Sequence, residues 1–155
     1  MSKKLVRHHY TECGLPNIWI ECFRVRDDAG NDTFIIPKVR RLHQLISQAI
    51  VMSGRALRGP EIRFLRSEMG LTREEFGRLV RRETATVARW EHGHSAPDEA
   101  VDVLIRFIAT AKLGLKNVDL KESVDKWETF AGVKSGAARR IRINAANPGA
   151  YRLVA

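Results

Sequence analysis

The first regular pattern along the chain is a pair of β-rich segments separated by a polar loop. Residues 17–25 and 33–36 are rich in apolar and β-branched side chains, and residues 27–32 have the composition of a turn. The pattern predicts a β-hairpin over 17–36. The aspartates of the loop lack the ligand spacing and the bidentate glutamate of a calcium-binding loop, so we interpret them as a solvated turn.

From residue 38 the apolar positions recur with the period of a helix. One face of the predicted helix carries five apolar residues: Val39, Leu42, Ile46, Ala49 and Ile50. The helix is predicted over 38–52, and Ser53-Gly54 ends it. Together with the hairpin it forms a predicted small α+β module over 1–54.

Residues 55–112 contain four shorter helical patterns with brief connections. The first ends at Gly70, and the second begins at a capping box formed by Thr72 and Glu75. The third covers about 83–92 and the fourth begins at about 97. The fourth has an apolar stripe at helical spacing: Val101, Leu104, Ile105 and Ile108. We therefore predict a mainly α protein, a compact helical bundle preceded by the small N-terminal module.

The last part of the chain has weaker patterns. Residues 113–131 predict one more helix, whose apolar stripe is our first candidate for a dimer element, with the N-terminal hairpin second. The stripe consists of Leu120, Val124, Trp127 and Ala131. Residues 132–155 are rich in Gly, Ala, Arg and Asn and follow no clean period, which predicts a flexible or partner-ordered basic tail.

Composition limits the classes of function. The 155 residues suit one compact domain with one or two small appendages. Two cysteines are not a disulfide framework and favour a reducing cytoplasm, while no apolar run is typical of a membrane span or a signal peptide. The net charge of +9 favours a polyanionic partner. Residues 55–110 carry a net charge of only +1, and residues 111–155 carry +5. Charge alone would therefore place the site for a polyanion in the C-terminal part of the chain.

Residues 71–93 carry the strongest functional signal. Two short helices joined by a tight turn can place the second helix in the major groove of DNA while the first lies across the backbone. Such a pair needs a small residue where the helices cross, and Gly77 stands there. It also needs apolar residues that face the core, here Phe76, Val80, Val87 and Trp90. The outer face of the second helix then carries Thr84, Ala85, Ala88 and Arg89.

This segment closely resembles the helix-turn-helix of the Xre/Cro-type repressors. The run Thr86-Val87-Ala88-Arg89-Trp90-Glu91-His92-Gly93 is similar to the end of that family's recognition helix, and Leu71-Thr72-x-x-Glu75 is similar to the start of the preceding helix. The resemblance covers about residues 58–110 and implies a DNA-binding transcriptional regulator. Two positions depart from it. Arg81 stands where the family usually has a glycine with positive φ, at a cost of about 1 kcal/mol, and Arg82 replaces a usually apolar residue.

Residues 10–20 resemble the opening of a group of bacterial regulators similar to the MqsA-like antitoxins, in which a small module precedes the same helix-turn-helix. The resemblance raises the question of a zinc site at Cys13 and Cys22, with His8 and His9 nearby. The two cysteines lack the close Cys-x-x-Cys pairing of structural zinc sites, so we predict no metal and no cofactor. The sequence offers no set of catalytic residues either, which predicts a protein that is not an enzyme.

The helix-turn-helix interpretation assigns roles to individual side chains. We predict that Thr84, Ala85 and Arg89 read base edges, since arginine pairs with guanine and methyl groups contact thymine. Binding of Arg89 to a phosphate or to Glu91 is the alternative. The predicted contacts to the DNA backbone are Thr72, Arg73, Arg82, Arg55 and Arg58. For Arg55 and Arg58, simple solvation is the alternative.

The sequence therefore predicts a cytoplasmic, sequence-specific transcriptional repressor that binds a palindromic operator in double-stranded DNA as a homodimer. The alternative is the antitoxin of a toxin–antitoxin pair, which would neutralise a protein toxin through the N-terminal module and regulate its own operon. A third interpretation is an RNA-binding or scaffold protein that uses the basic tail, and this tail could equally be only a solvated segment. No membrane partner is expected.

Overall fold

The computed structural model describes residues 3–129, 139–147 and 149–154. These residues form six helices and five strands in two compact units. Unit 1 consists of Met1–Ile46 with Arg139–Ala155, and unit 2 consists of Ser47–Ala138. Helix α1 (Val39–Val51) begins in unit 1 and ends in unit 2. None of the helices in the described part of the chain is long and apolar enough to cross a membrane.

Unit 1 contains a mixed five-stranded sheet with strand β2 (Ile18–Arg26) at its centre. Strand β3 (Asp32–Ile35) pairs antiparallel with β2, which confirms the predicted hairpin. Strand β1 (Lys4–His9), which was not predicted, also pairs antiparallel with β2. Strand β4 (Ile141–Asn144) pairs parallel with the first half of β2, and β5 (Arg152–Val154) pairs antiparallel with β4.

The expected fold class, a mainly α helical bundle, is wrong. The protein is an α+β protein, because the N-terminal and C-terminal segments combine into one sheet. The tail predicted as flexible over 132–155 supplies two of the five strands, and each strand gains ladder hydrogen bonds that it could not form alone. The part of that tail over 132–138, and residues 148 and 155, lie outside the described residues.

One face of the sheet forms the core of unit 1. Successive side chains of a strand point to opposite faces, and β2 follows this period, with Ile18, Ile20 and Cys22 fully buried and the residues between them half-buried. Ile143 joins the buried face from β4. The first turns of α1 contribute further buried residues to unit 1: Leu42, Leu45 and Ile46. Tyr10 Oη lies 3.0 Å from His43 Nε2 of α1.

Unit 2 is helical. After the end of α1 it contains α2 (Gly59–Glu68), α3 (Arg73–Val80), α4 (Thr84–Glu91), α5 (Glu99–Leu113) and α6 (Leu120–Thr129). Helices α2 to α5 share a core of large apolar side chains from each element: Ile62, Leu65, Phe76, Val80, Val87, Trp90 and Ile105. The predicted core position of Trp90 is confirmed, with 4% of its surface exposed.

A buried arginine on α5 links this helix to the end of α1 and to the loop that follows α1. Arg106 on α5 is fully buried, and its Nε donates to Asp102 Oδ1 at 2.6 Å. Its Nη1 group donates to the carbonyl oxygens of Val51 and Ser53 at 2.9 and 2.8 Å, and Nη2 donates to the carbonyl of Arg55. Arg106 therefore satisfies carbonyl groups that α1 and the following loop leave without a helical partner.

The apolar stripes expected on α5 and α6 lie partly on the surface. Leu104 is 38% exposed, whereas Asp102 and Arg106, which were not in the predicted stripe, are buried. Trp127, expected at a dimer contact, is instead buried inside unit 2 with its Nε1 donating to the carbonyl of Val51 at 3.2 Å. The stripe on α6 therefore divides, because Trp127 turns inward while Leu120 and Val124 remain exposed at 44% and 38%.

Candidate nucleic-acid interface

Helix α3 begins at the predicted capping box. The backbone amide of Glu75 donates to Thr72 Oγ1 at 3.2 Å, and the backbone amide of Thr72 donates to Glu75 Oε2 at 2.7 Å. The hydrogen bond from the Thr72 amide lowers the pKa of the Glu75 carboxyl below its ordinary value. The box satisfies two amides that would otherwise lack acceptors, and it leaves Thr72 exposed at the helix start.

The crossing of α3 and α4 depends on Gly77. A Cβ atom at this position would lie 2.5 Å from the carbonyl oxygen of Arg82, which is closer than such atoms approach in folded proteins. A residue with a side chain would therefore force the backbone of the turn away from α3. The expected role of Gly77 as the small residue at the crossing is confirmed.

The turn between α3 and α4 contains Arg81 in the left-handed conformation, with φ 57° and ψ 45°. The expectation of a positive φ at this position is thus confirmed, although the residue carries a Cβ atom. Arg78, Arg81 and Arg82 line a shallow cleft of about 380 Å³ beside the turn, together with Gly77 and Glu83. Arg78 and Arg82 also form exposed ion pairs with Glu74 and Asp98, at 3.8 and 3.1 Å, which are weak interactions that an anion such as a phosphate could replace.

Helix α4 presents different chemistry on its two faces. Val87, Trp90 and Glu91 are buried against the rest of unit 2. The three side chains that the sequence assigns to base reading, Thr84, Ala85 and Arg89, are all exposed. Within the described residues Arg89 makes no ion pair, so the alternative pairing with Glu91 does not occur and its donors face solvent.

The carboxylate of Glu91 holds the end of α4 against α2 and α3. It accepts from Arg66 Nε at 2.5 Å and from Arg73 Nε at 2.7 Å, while Arg66 Nη1 also donates to the carbonyl of Leu71 at 2.8 Å. Burial alone would raise the pKa of Glu91, but the hydrogen bonds from Arg66 and Arg73 outweigh it and the pKa is lowered. The two arginines thus fix the position of α4 relative to the start of α3.

Among the predicted backbone contacts, Arg73 and Thr72 lie together at the start of α3. The Arg73 side chain is 35% exposed, and its Nε donates to Glu91 Oε2 at 2.7 Å. Arg73 is therefore oriented before any ligand arrives. A phosphate beside it would also meet free backbone amides of the first turn of α3.

The other predicted backbone contacts have different surroundings. Arg55 forms an ion pair with the buried carboxylate of Glu61, and its side chain is only 13% exposed. It is therefore poorly placed to contact a DNA phosphate. Arg82 binds Asp98 at 3.1 Å in an exposed pair, which is a weak interaction that a phosphate could replace. Arg58 stands at the N-cap of α2 and is half-buried, with its backbone amide donating to Glu61 Oε2 at 2.9 Å.

Two exposed residues that the sequence does not assign to base reading, Glu83 and His92, lie at the ends of α4. Glu83 is the N-cap residue of α4 and directly precedes Thr84, and a carboxylate there can accept a hydrogen bond from the amino group of cytosine. His92 follows α4, with its Nδ1 lying 2.7 Å from the carbonyl of Ala88. Both positions follow from the bounds of α4, since Glu83 directly precedes the helix and His92 directly follows it.

The cysteines and histidines considered for zinc lie in or beside the sheet of unit 1. In residues 3–129, 139–147 and 149–154, no group of three or more His, Cys, Asp or Glu side chains is placed to hold a metal ion. Cys22 is fully buried in the sheet, and this burial raises the pKa of its thiol. His8 stacks on Phe34 of β3, and His9 stacks on Trp19 of β2.

Comparison of the chain with protein-family models, with curated proteins and with solved structures gave no match.

Proposed function

We propose that the protein is a sequence-specific DNA-binding protein that represses transcription as a homodimer on a palindromic operator. The observation that carries this proposal is the outer face of α4, where Thr84, Ala85 and Arg89 are exposed on a helix whose other face is fixed in the core. A helix supported in this way can enter the major groove without reorganising the unit that holds it.

Base recognition would use the side chains of the exposed face. Arg89 can donate two hydrogen bonds to the O6 and N7 atoms of guanine, and the methyl groups of Thr84 and Ala85 can contact a thymine methyl. A good bidentate contact discriminates against the wrong base by about 1–3 kcal/mol, which corresponds to roughly 5- to 150-fold in affinity.

Backbone contacts would fix the register of α4 in the groove. Thr72 and Arg73 at the start of α3 are exposed or partly exposed, and Arg73 is oriented by Glu91. Such contacts position the protein on the duplex and carry no sequence information themselves. Replacement of Arg73 should therefore weaken binding to all duplexes by a similar factor.

A second copy of the chain is the partner that this mode of binding requires, because one short recognition helix reads few bases. The proposed dimer contact is the exposed apolar surface of α5 and α6. Leu104 and Phe107 are exposed on α5, and Leu120 and Val124 are exposed on α6. The ring centroids of Phe107 and Trp127 lie 5.6 Å apart. The contact between Phe107 and Trp127 makes the two stripes adjacent within unit 2.

The test is binding to duplex DNA from the promoter of the protein's own gene, compared with scrambled DNA. The variant Thr84→Ala/Arg89→Ala should lose at least tenfold in affinity for the promoter and little for scrambled DNA. Lys116→Ala, which removes one exposed positive charge from the loop between α5 and α6, is the matched control. Equal binding of the double variant and the wild type to promoter DNA would refute the proposal.

Dimerisation is tested separately by sedimentation of the wild type and of Val124→Glu. A charge within an apolar contact should shift the protein to the monomer and weaken operator binding together. A wild-type protein that remains a monomer at micromolar concentration, on and off DNA, would refute the homodimer.

A further inference from the structure

The sheet of unit 1 has a second face that is not buried within the described residues of that unit. The strand register places its side chains in three rows across the strands. The first row contains His9, Trp19, Arg142 and Val154, the second contains Arg7, Glu21, Asn144 and Arg152, and the third contains Leu5, Phe23 and Ile35. All of them are half-buried or exposed. We call this surface the open face.

The open face carries a concentration of positive charge. Its rows and the neighbouring Arg140 include four arginines and one glutamate. Unit 1 as a whole has 12 Lys and Arg against 5 Asp and Glu, and therefore carries +7 of the chain's +9. The return of the C-terminal segment to the sheet brings four arginines to this unit, and three of them, Arg140, Arg142 and Arg152, lie on or beside the open face.

An aromatic stack holds one of these arginines in place. The ring of His9 stacks on Trp19 at 4.5 Å with an interplanar angle of 8°, and His9 Nε2 lies 2.7 Å from the carbonyl of Pro16. Arg140 Cζ lies 4.8 Å from the centre of the Trp19 ring system. A guanidinium stacked in this way keeps its hydrogen-bond donors at its edge, where they can reach a phosphate.

The third row has a different character from the other two. Leu5 is 52% exposed, Ile35 is 37% exposed, and Phe23 between them is half-buried. Apolar side chains at these positions gain nothing from phosphate contact. They can be covered by the flat faces of nucleic-acid bases, but only when those bases are not stacked and paired inside a duplex.

From this combination the geometry points to a second nucleic-acid site, in which the open face binds single-stranded nucleic acid. Arg7, Arg140 and Arg152 contact successive phosphates, and unpaired bases lie over the row of Leu5, Phe23 and Ile35. A basic surface beside aromatic and apolar side chains on a sheet is the arrangement that sequence-tolerant binders of single strands use. The site is independent of α4 and of the operator.

The test measures binding of the full chain to a labelled oligothymidylate of about 16 nucleotides by fluorescence anisotropy. The variant Arg7→Gln/Arg140→Gln/Arg152→Gln should bind at least tenfold more weakly. The slope of log K against log salt should also become shallower by about 2, since each lost contact to a single strand removes about 0.7. The matched control is Lys38→Gln/Arg40→Gln/Arg41→Gln, which removes the same charge from exposed positions of unit 1 outside the open face.

The base contacts have their own readout. Phe23→Ser should weaken binding of the oligothymidylate by several-fold at every salt concentration, without a change in the salt slope, because it removes no charge. An unlabelled duplex of the same length without an operator should compete poorly. A duplex that competes as well as the single strand would overturn the proposal.

Two further results would also overturn it. One is an equal loss of binding in the open-face variant and in its charge-matched control, which would mean that net charge alone attracts the oligonucleotide. The other is no binding of the oligonucleotide at low salt, as expected if the open face receives an acidic protein. Thr84→Ala/Arg89→Ala should retain full binding to the oligothymidylate, so failure of this site and failure of the repressor proposal are distinguishable.

Discussion

The substitution Arg106→Met tests the importance of the buried arginine in unit 2. Methionine preserves much of the apolar volume of the side chain and removes every donor. Asp102, which is 2% exposed, would then keep only the hydrogen bond from the backbone amide of Leu57 at 2.7 Å. The carbonyls of Ser53 and Arg55 would lose the donors that Arg106 supplies.

The expected magnitude follows from these losses. Removing one partner of a buried ion pair costs about 3–5 kcal/mol, because the other charge stays buried without compensation. This is a large part of the roughly 5–15 kcal/mol that stabilises a typical domain. We therefore expect the free energy of unfolding of unit 2 to fall by about 4 kcal/mol, with a decrease in Tm of roughly 15–30 °C.

Urea unfolding followed by circular dichroism measures the effect. Arg63→Met, at an exposed position of α2, is the control and should change the free energy of unfolding by less than about 0.5 kcal/mol. In the double variant Asp102→Asn/Arg106→Met no carboxylate is left unpaired, so its cost should be about 2 kcal/mol below the sum of the single costs. A cost for Arg106→Met no larger than that of Arg63→Met would refute the reasoning.

Three further predictions concern the helix-turn-helix. Gly77→Ala should lower the free energy of unfolding by about 2 kcal/mol, because the clash with the turn exceeds the gain of about 1 kcal/mol in helix propensity. The control is Gly54→Ala, whose added Cβ meets no atom within 4 Å. In the same urea titration it should be neutral or slightly stabilising. Arg81→Gly should raise the Tm by a few degrees by removing the left-handed strain, and a lower Tm would contradict this. The lowered pKa of Glu91 means that its contribution to stability is complete above the ordinary pKa of a glutamate and is lost as pH falls through the lower folded value. Acid titration of Glu91→Gln should show a smaller loss of stability in that range than the wild type, and an unchanged acid profile would exclude this role.

The helix-turn-helix was predictable because its signals are local. The capping box joins residues three positions apart, and both the glycine at the crossing and the strained turn lie within one short segment, so the sequence around Thr72, Gly77 and Arg81 contains most of the information. The ion pairs behind it were not predictable in the same way. Arg73 and Glu91 are 18 positions apart, and only the packing of α3 on α4 determines which acid an arginine meets. The pair Asp102 and Arg106 did have a signal, since the two are four residues apart and each directly follows a buried position, Val101 or Ile105.

The sheet was missed because its pairings are distant and its strands are short. Strand β4 has four residues and β5 has three, and strands of this length have no periodicity that separates them from a loop. Ile141 pairs with Ile18, more than a hundred positions away, so neither segment predicts the other. Whether a short apolar segment forms a strand depends on the strands that pair with it, whereas a helix forms its backbone hydrogen bonds within one segment.

The fold also explains why net charge was a poor guide to the proposed interface. Unit 2 carries 15 Lys and Arg against 13 Asp and Glu, and several of its arginines are bound to acids of the same unit: Arg55, Arg66, Arg73, Arg82 and Arg106. A guanidinium bound to an acid of the same unit adds little to the net charge around it, so the identification of α3 and α4 as a candidate interface depends on the spacing of residues and not on a charge excess. The excess of +7 lies on unit 1, whose salt bridges include those of His8 with Glu12 and of Arg24 and Arg26 with Asp32. The two proposed sites, α4 for the operator and the open face for single strands, therefore lie on different units, and we expect a mutation that weakens binding at one to leave binding at the other measurable.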